Sequence, residues 1–196
     1  MKRLVFLASL LVSVVLMNFS VSQAATVRVA DVGVYNLVQD MRTTVRDINK
    51  EMTNLIPVTI GNAVRVPQLD KDYADCSGWR SKIYKEGTND QKAWIDFYAN
   101  GQGYVSRINF AISDLDDSQS SGMVLGVCLV SLGLSQEEYI QFSKSFWNKV
   151  QAVLKSDDDN VRIRDSIYCS AKKRYIDIYL YNCSKGHLHF NLTGRI

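Results

Sequence analysis

Residues 123–142 read MVLGVCLVSLGLSQEEYIQF, and this stretch decides the predicted fold. Its apolar run stops at Gly133, a residue type suited to the positive φ found just after a helix. Ser135 and Glu138 then have the spacing of a capping box, in which the serine hydroxyl and the glutamate carboxylate each accept a hydrogen bond from a free backbone amide. The stretch therefore predicts a short buried helix, a glycine break and a longer amphipathic helix.

Apolar stripes mark this longer helix and another one nearer the N-terminus. The longer helix has them at Tyr139, Phe142, Phe146, Val150, Val153 and Leu154. The N-terminal stripe consists of Val34, Val38, Met41, Val45, Ile48, Met52 and Leu55. Asp31 is a candidate N-cap for this helix, and Pro57 ends it. The stripe favours a helix packed on a sheet. The alternative, a homodimer through residues 34–55, is disfavoured because the flanking positions lack complementary charges.

Alternating apolar and polar residues predict the strands. The clearest strands are 92–99, 104–113, 161–168, 174–181 and 187–193. Residues 57–67 predict a small hairpin around Gly61-Asn62, and residues 66–77 predict a loop. Residues 79–85 fit a short helix or a strand. The order of elements predicts an α+β domain: an antiparallel sheet of about five strands, packed by an N-terminal helix and a central helix pair.

The first 24 residues have the pattern of a secretory signal peptide. Lys2 and Arg3 precede an apolar stretch over residues 4–17, and small residues precede Ala25, the expected start of the mature chain. Residues 25–196 then form a single domain, periplasmic or secreted, with no integral membrane segment. Removal of the signal lowers the formal charge from +3 to about +1, because it takes away two basic residues and no acidic one. We therefore expect no nucleic-acid partner, since such proteins carry clustered Lys and Arg.

Four cysteines in an exported chain predict disulfides. They are Cys76, Cys128, Cys169 and Cys183. Three connectivities are open, of which we favour Cys169 with Cys183. Cys128 lies inside the predicted apolar helix, where a free buried thiol is equally ordinary.

The polar face of the last two strands is the candidate binding site. Its residues are Asp177, Tyr179, Tyr181, His187 and His189. A turn at residues 184–186 places Tyr181 near His189 and Tyr179 near Asn191 across the ladder. Tyrosine, histidine and asparagine bury area while keeping hydrogen-bonding groups, as recognition surfaces do. The alternative is an ordinary solvated sheet face, or one covered by the 34–55 helix.

Two functions remain open from the sequence. The first is a small exported binding protein that recognises another protein, in the manner of an inhibitor or immunity protein. The second is a small envelope hydrolase using His187 or His189 with Asp177. The same three residues are the candidates for a metal site, but we expect neither a metal nor a cofactor. The acidic runs 114–117 and 157–160 predict a helix first turn and a solvated turn, respectively.

Overall fold

The computed structural model describes residues 28–51, 57–112, 118–154, 162–181 and 188–195. Several sequence predictions lie outside these ranges. They concern the signal peptide, the two acidic runs, the turn at 184–186, Cys183, His187, Met52 and Leu55.

The described residues form three helices and eight strands. The helices are α1 (Val34–Glu51), α2 (Ser118–Ser131) and α3 (Gln136–Leu154), with a short 3-10 helix at Pro67–Lys71. The strands are β1 (Val58–Ile60), β2 (Val64–Arg65), β3 (Cys76–Lys85), β4 (Gln91–Asn100), β5 (Val105–Ile112), β6 (Ile163–Cys169), β7 (Arg174–Tyr181) and β8 (Leu188–Arg195). The predicted α+β class, with helices packed on an antiparallel sheet, is confirmed, although the sheet has eight strands rather than about five.

The sheet is two antiparallel ladders joined at their inner strands. Its order is β1-β3-β4-β5-β8-β7-β6, and β2 also pairs with β3. The helix pair connects the two ladders, and β8 returns to pair with β5. Phe110 of β5 and Phe190 of β8 stack with ring centroids 4.6 Å apart on the core side of this junction. The junction places residues that are about 80 positions apart in the sequence side by side, as Asn109 and Asn191 are.

The predicted hairpin at 57–67 is wrong, because β1 and β2 each pair with β3. β3 has ten residues and is long enough to pair with both short strands. Gly61, between them, is also held to β3: its amide donates to the Lys82 carbonyl at 2.8 Å, and its carbonyl accepts from the Ser81 hydroxyl at 2.8 Å. The ambiguous segment 79–85 is therefore a strand, and Cys76 and Ser77 belong to it.

The helix pair matches the sequence prediction closely. Gly133 has φ +105°, the left-handed conformation expected after α2. The Ser135 amide donates to the Glu138 carboxylate at 2.8 Å, and the Glu138 amide donates to the Ser135 hydroxyl at 3.1 Å. Phe146 and Val150 of α3 are fully buried. The capping box and the amphipathic face are thus both confirmed.

The apolar stripe of α1 packs inside the domain. Val34, Val38, Met41 and Val45 are buried in the same core as the inner sheet face, which confirms the helix-on-sheet prediction. A homodimer through this helix stays an untested prediction. Asp31 does not cap α1: it forms ion pairs with Arg28 and Arg174 instead.

The disulfide prediction needs correction. Cys76, Cys128 and Cys169 are free thiols in the described chain. Cys128 is fully buried in α2, whereas Cys76 lies in β3, with its Sγ 3.5 Å from the Ser106 hydroxyl. Cys169, at the end of β6, is near the Leu132 carbonyl. The predicted disulfides are therefore absent among these three cysteines, and Cys183, the favoured partner of Cys169, lies outside the described residues.

Candidate functional site: the polar sheet face

The helices pack on one face of the sheet, and the other face carries polar and aromatic side chains. We call this the polar face. Its residues alternate with core residues on β3 to β8: Arg80, Trp94, Asp96, Tyr98, Arg107, Asn109, Arg164, Ser166, Tyr168, Tyr175, Asp177, Tyr179, Tyr181, His189, Asn191, Thr193 and Arg195. Alternation arises because successive side chains of a strand point to opposite faces.

A single row of polar side chains crosses six strands. In register order it reads Arg80, Asp96, Asn109, Asn191, Tyr179 and Arg164. Directly opposed side chains on adjacent strands lie close enough to interact. The row therefore aligns polar side chains across the sheet between two arginines, with Asp96 and Asn191 buried and the other four at least partly exposed.

At the β3 end of this row, Arg80 and Asp96 form a two-point ion pair. The Arg80 Nε and Nη2 atoms lie 2.6 and 2.7 Å from the two carboxylate oxygens of Asp96. This hydrogen bond raises the pKa of Arg80, and the guanidinium also lies 5.7 Å from the centre of the Trp94 ring. Because two hydrogen bonds hold the Arg80 guanidinium and the Asp96 carboxylate in one plane, the geometry at the β3 end of the row is rigid.

The centre of the row is bridged by Tyr73, which follows the 3-10 helix. Asn191 Nδ2 donates to Asn109 Oδ1 at 2.5 Å, and the Tyr73 hydroxyl lies 3.2 and 3.3 Å from the two amide nitrogens. The Arg107 guanidinium stacks 3.9 Å from the centre of the Tyr73 ring. The ring also meets Tyr98 edge-on, with centroids 4.5 Å apart. Tyr73 thus covers the middle of the polar face.

Tyr98 is the buried support under Tyr73. Its hydroxyl donates to the Asp72 carboxylate at 2.7 Å. Burial and then this carboxylate raise the pKa of Tyr98 far above its usual value, so the phenol stays protonated. The 3-10 helix can lie this close because residue 78 is glycine: an added Cβ there would stand 2.2 Å from the Leu69 Cβ.

At the other end, Asp177 is a buried carboxylate held by three groups. Ser166 donates to it at 2.5 Å, Arg195 Nε lies at 3.2 Å, and Arg164 Nη2 lies at 3.9 Å. Burial raises the pKa of Asp177, but the Ser166 and Arg195 contacts outweigh it, and the pKa falls below 3.8. Asp177 is therefore ionised at neutral pH and organises the arginines around it.

The predicted cross-strand pairs are confirmed. Tyr181 lies opposite His189, with ring centroids 5.8 Å apart, and Tyr179 lies opposite Asn191. Burial, followed by the nearby Tyr73, raises the pKa of Tyr181, so it is a neutral phenol at physiological pH. All four side chains are thus on the polar face.

The structure does not bring Asp177 and His189 together. Asp177 pairs with Thr193, four residues along β8 from His189, a separation of about 13 Å in an extended strand. The carboxylate is instead occupied by Ser166 and Arg195. Within the described ranges, His, Cys, Asp and Glu form no group of three that could hold a metal. Among the described residues, Asp177 and His189 therefore form no catalytic pair, whereas His187 lies outside the described ranges.

Sequence reasoning missed much of the polar face. Trp94, Asp96 and Tyr98 alternate on β4, and Arg107 and Asn109 do so on β5, so a period-two signal existed. That signal does not say which strands are neighbours. Tyr73 gave no signal of its own, because its position depends on how residues 66–77 cross the sheet.

No family model, curated protein or solved structure matches this chain. Among the described helices, each is too short or too polar to cross a membrane.

Proposed function

We propose that this chain is an exported binding protein that recognises another protein through its polar face, in the manner of an inhibitor or immunity protein. The observation that carries the proposal is the polar row across six strands, from Arg80 to Arg164. Its two arginines and its tyrosine belong to types enriched at interfaces, and ion pairs or stacking hold several of its side chains in place. A prearranged surface binds with less loss of side-chain entropy.

The composition of the face supports binding over catalysis. Tyrosine and arginine are nine of the seventeen residues on this face, and both are common among the residues that dominate binding energy at interfaces. Of the predicted hydrolase residues, Asp177 and His189 lie about four residues apart along the ladder, too far to exchange a proton directly. The predicted signal peptide places the mature protein in the periplasm or outside the cell, where such a partner would be met.

The test is capture of a partner by the mature protein from its own organism, followed by reconstitution with the purified partner. The double variant Tyr181→Ala/His189→Ala should weaken that complex about 30-fold or more, as removal of central interface residues does. Tyr35→Ala is the matched control, since Tyr35 is an exposed tyrosine on α1, in the helix layer. Equal affinity of wild type and double variant, or equal loss in the control, contradicts recognition through this face.

A further inference from the structure

The β6 to β8 end of the polar face concentrates arginines on tyrosine rings. The Arg164 guanidinium lies 5.2 Å from the centre of the Tyr179 ring, and the Arg195 guanidinium lies 4.7 Å from that of Tyr175. Tyr175 in turn contacts Tyr168, with ring centroids 5.1 Å apart. We call these five residues the arginine–tyrosine patch. Cation–π contact with a tyrosine ring favours a guanidinium that also binds a planar acceptor such as a carboxylate.

The patch has more positive charge than its own carboxylate can neutralise. Among the described carboxylates, Arg164 and Arg195 pair with Asp177 alone, which is itself buried. The two arginine side chains remain 64% and 52% exposed. At 3.9 Å, the contact of Arg164 with Asp177 is longer than a hydrogen bond, so its donors remain available to an incoming acceptor.

Charge in the surrounding hairpin has the same sign. Residues 162–181 contain five basic and two acidic residues, a formal excess of +3, in a chain whose whole formal charge is also +3. Lys172 and Lys173 lie exposed in the turn between β6 and β7. Such a local excess attracts an acidic surface and speeds the encounter with it.

Exposed aromatic side chains complete the surface. Tyr168 and Tyr175 are 47% and 41% exposed, and they are two of the few large apolar side chains that the described part of the chain leaves open. Adjacent exposed tyrosines next to arginines are the composition of an interface centre.

The side chains, rather than the edge backbone, form the contact. β6 ends the strand order, and a free edge strand can add a strand from a partner. However, the Ser166 amide already donates to its neighbour Asp165 at 2.9 Å, and Lys149 of α3 pairs with that carboxylate at 2.7 Å. A charged side chain held over an edge is a common protection against strand addition.

We infer that the arginine–tyrosine patch binds an acidic segment of the protein partner, whose carboxylates pair with Arg164 and Arg195 while its chain lies across Tyr168 and Tyr175. This inference rests on the proposed recognition function and names the chemistry of the partner. A protein segment fits better than a phosphate backbone, because Asp177 sits between the two arginines and interrupts a continuous positive track.

The test measures binding of a labelled oligoglutamate peptide to the mature protein at low salt by fluorescence anisotropy. Arg164→Gln should raise the Kd about tenfold, the size expected for one charge-assisted contact. Arg46→Gln on α1 is the matched control: Arg46 is 65% exposed with an ion pair at 3.8 Å, against 64% and 3.9 Å for Arg164. We expect the control to change the Kd less than twofold. Arg195→Lys, which keeps the charge beside Asp177, serves as a second variant that preserves the buried pair.

Three results overturn the inference: no binding of oligoglutamate by the wild type, equal weakening in Arg164→Gln and Arg46→Gln, or stronger Arg164-dependent binding of oligothymidylate or phosphatidylglycerol vesicles. If oligoglutamate fails while a captured partner still depends on Tyr181 and His189, the acidic segment is wrong and the recognition function stands. If no partner is captured but oligoglutamate binding depends on Arg164, the patch does bind acidic chains and the recognition function is wrong.

Discussion

The ion pair between Arg80 and Asp96 makes a prediction about which partner is costlier to remove. The Arg80 side chain is 35% exposed, whereas that of Asp96 is 10% exposed. Without Arg80, the carboxylate stays in a site that water reaches poorly. When Asp96 is replaced by asparagine, the Arg80 guanidinium still contacts solvent and can donate to the remaining amide oxygen. The cost of breaking the pair therefore depends on the side that is changed.

Arg80→Met keeps the aliphatic stem and removes the guanidinium. We expect this variant to lower the free energy of unfolding by about 3 kcal/mol. This value is the low end for leaving a buried charge without its partner, because Arg80 is partly exposed. Asp96→Asn keeps the shape and one acceptor, and should cost about 1 kcal/mol. For a chain of this size, these values correspond to melting temperatures lower by roughly 6–12 °C and 2–4 °C.

Urea unfolding of the two single variants and the double variant gives the coupling energy directly. Arg46→Met provides the control, since Arg46 and Asp47 are 65% and 57% exposed and their pair should contribute less than about 0.5 kcal/mol. The reasoning is refuted if Asp96→Asn costs as much as Arg80→Met, or if the effects of the two single variants simply add.

Two further predictions concern acid stability and thiol reactivity. The pKa of Asp177 is raised by burial but lowered more by Ser166 and Arg195, so it lies below 3.8. A carboxyl whose pKa is lower in the folded than in the unfolded protein stabilises the fold at pH values above its unfolded-state pKa. That contribution is lost as the pH falls through its folded-state pKa. The stability gap between wild type and Asp177→Asn, from urea unfolding at several pH values, should therefore shrink below about pH 4; a gap that widens contradicts this. Burial raises the pKa of the Cys128 thiol, whereas Cys76 is only half-buried, so peptide mapping after brief alkylation of the native protein should find Cys76 modified and Cys128 protected. Similar labelling of both contradicts the placement of α2.

The sequence predicted those parts of the fold in which the signal lies within one element. The capping box at Ser135 and Glu138, the glycine break and the buried stripe of α1 each depend on residues a few positions apart. Alternation along β7 and β8 also placed Tyr179 and Tyr181 on one face, because the side-chain period of a strand is two. These predictions needed no knowledge of distant contacts.

The candidate site, by contrast, depended on which strands became neighbours. Of the predicted pairs on β7 and β8, only Tyr179 with Asn191 lies in the polar row, and the pairing of β5 with β8 extends that row by placing Asn109 beside Asn191. The same long-range choice let Tyr73 reach both amides. Periodicity says which face a side chain takes and is silent on the register between strands far apart in the chain.

The sequence alone therefore determined the three helices, the faces of β7 and β8 and the α+β class, since local backbone preferences and hydrophobic periodicity specify each of them. Only the tertiary structure decided that Arg80 and Arg164 end one row, that Asp177 is held by Ser166 and Arg195 rather than by His189, and that three cysteines are free thiols. The physical reason is that these relations come from burying the inner face of the sheet against the helices, and this requirement is satisfied by the whole chain at once.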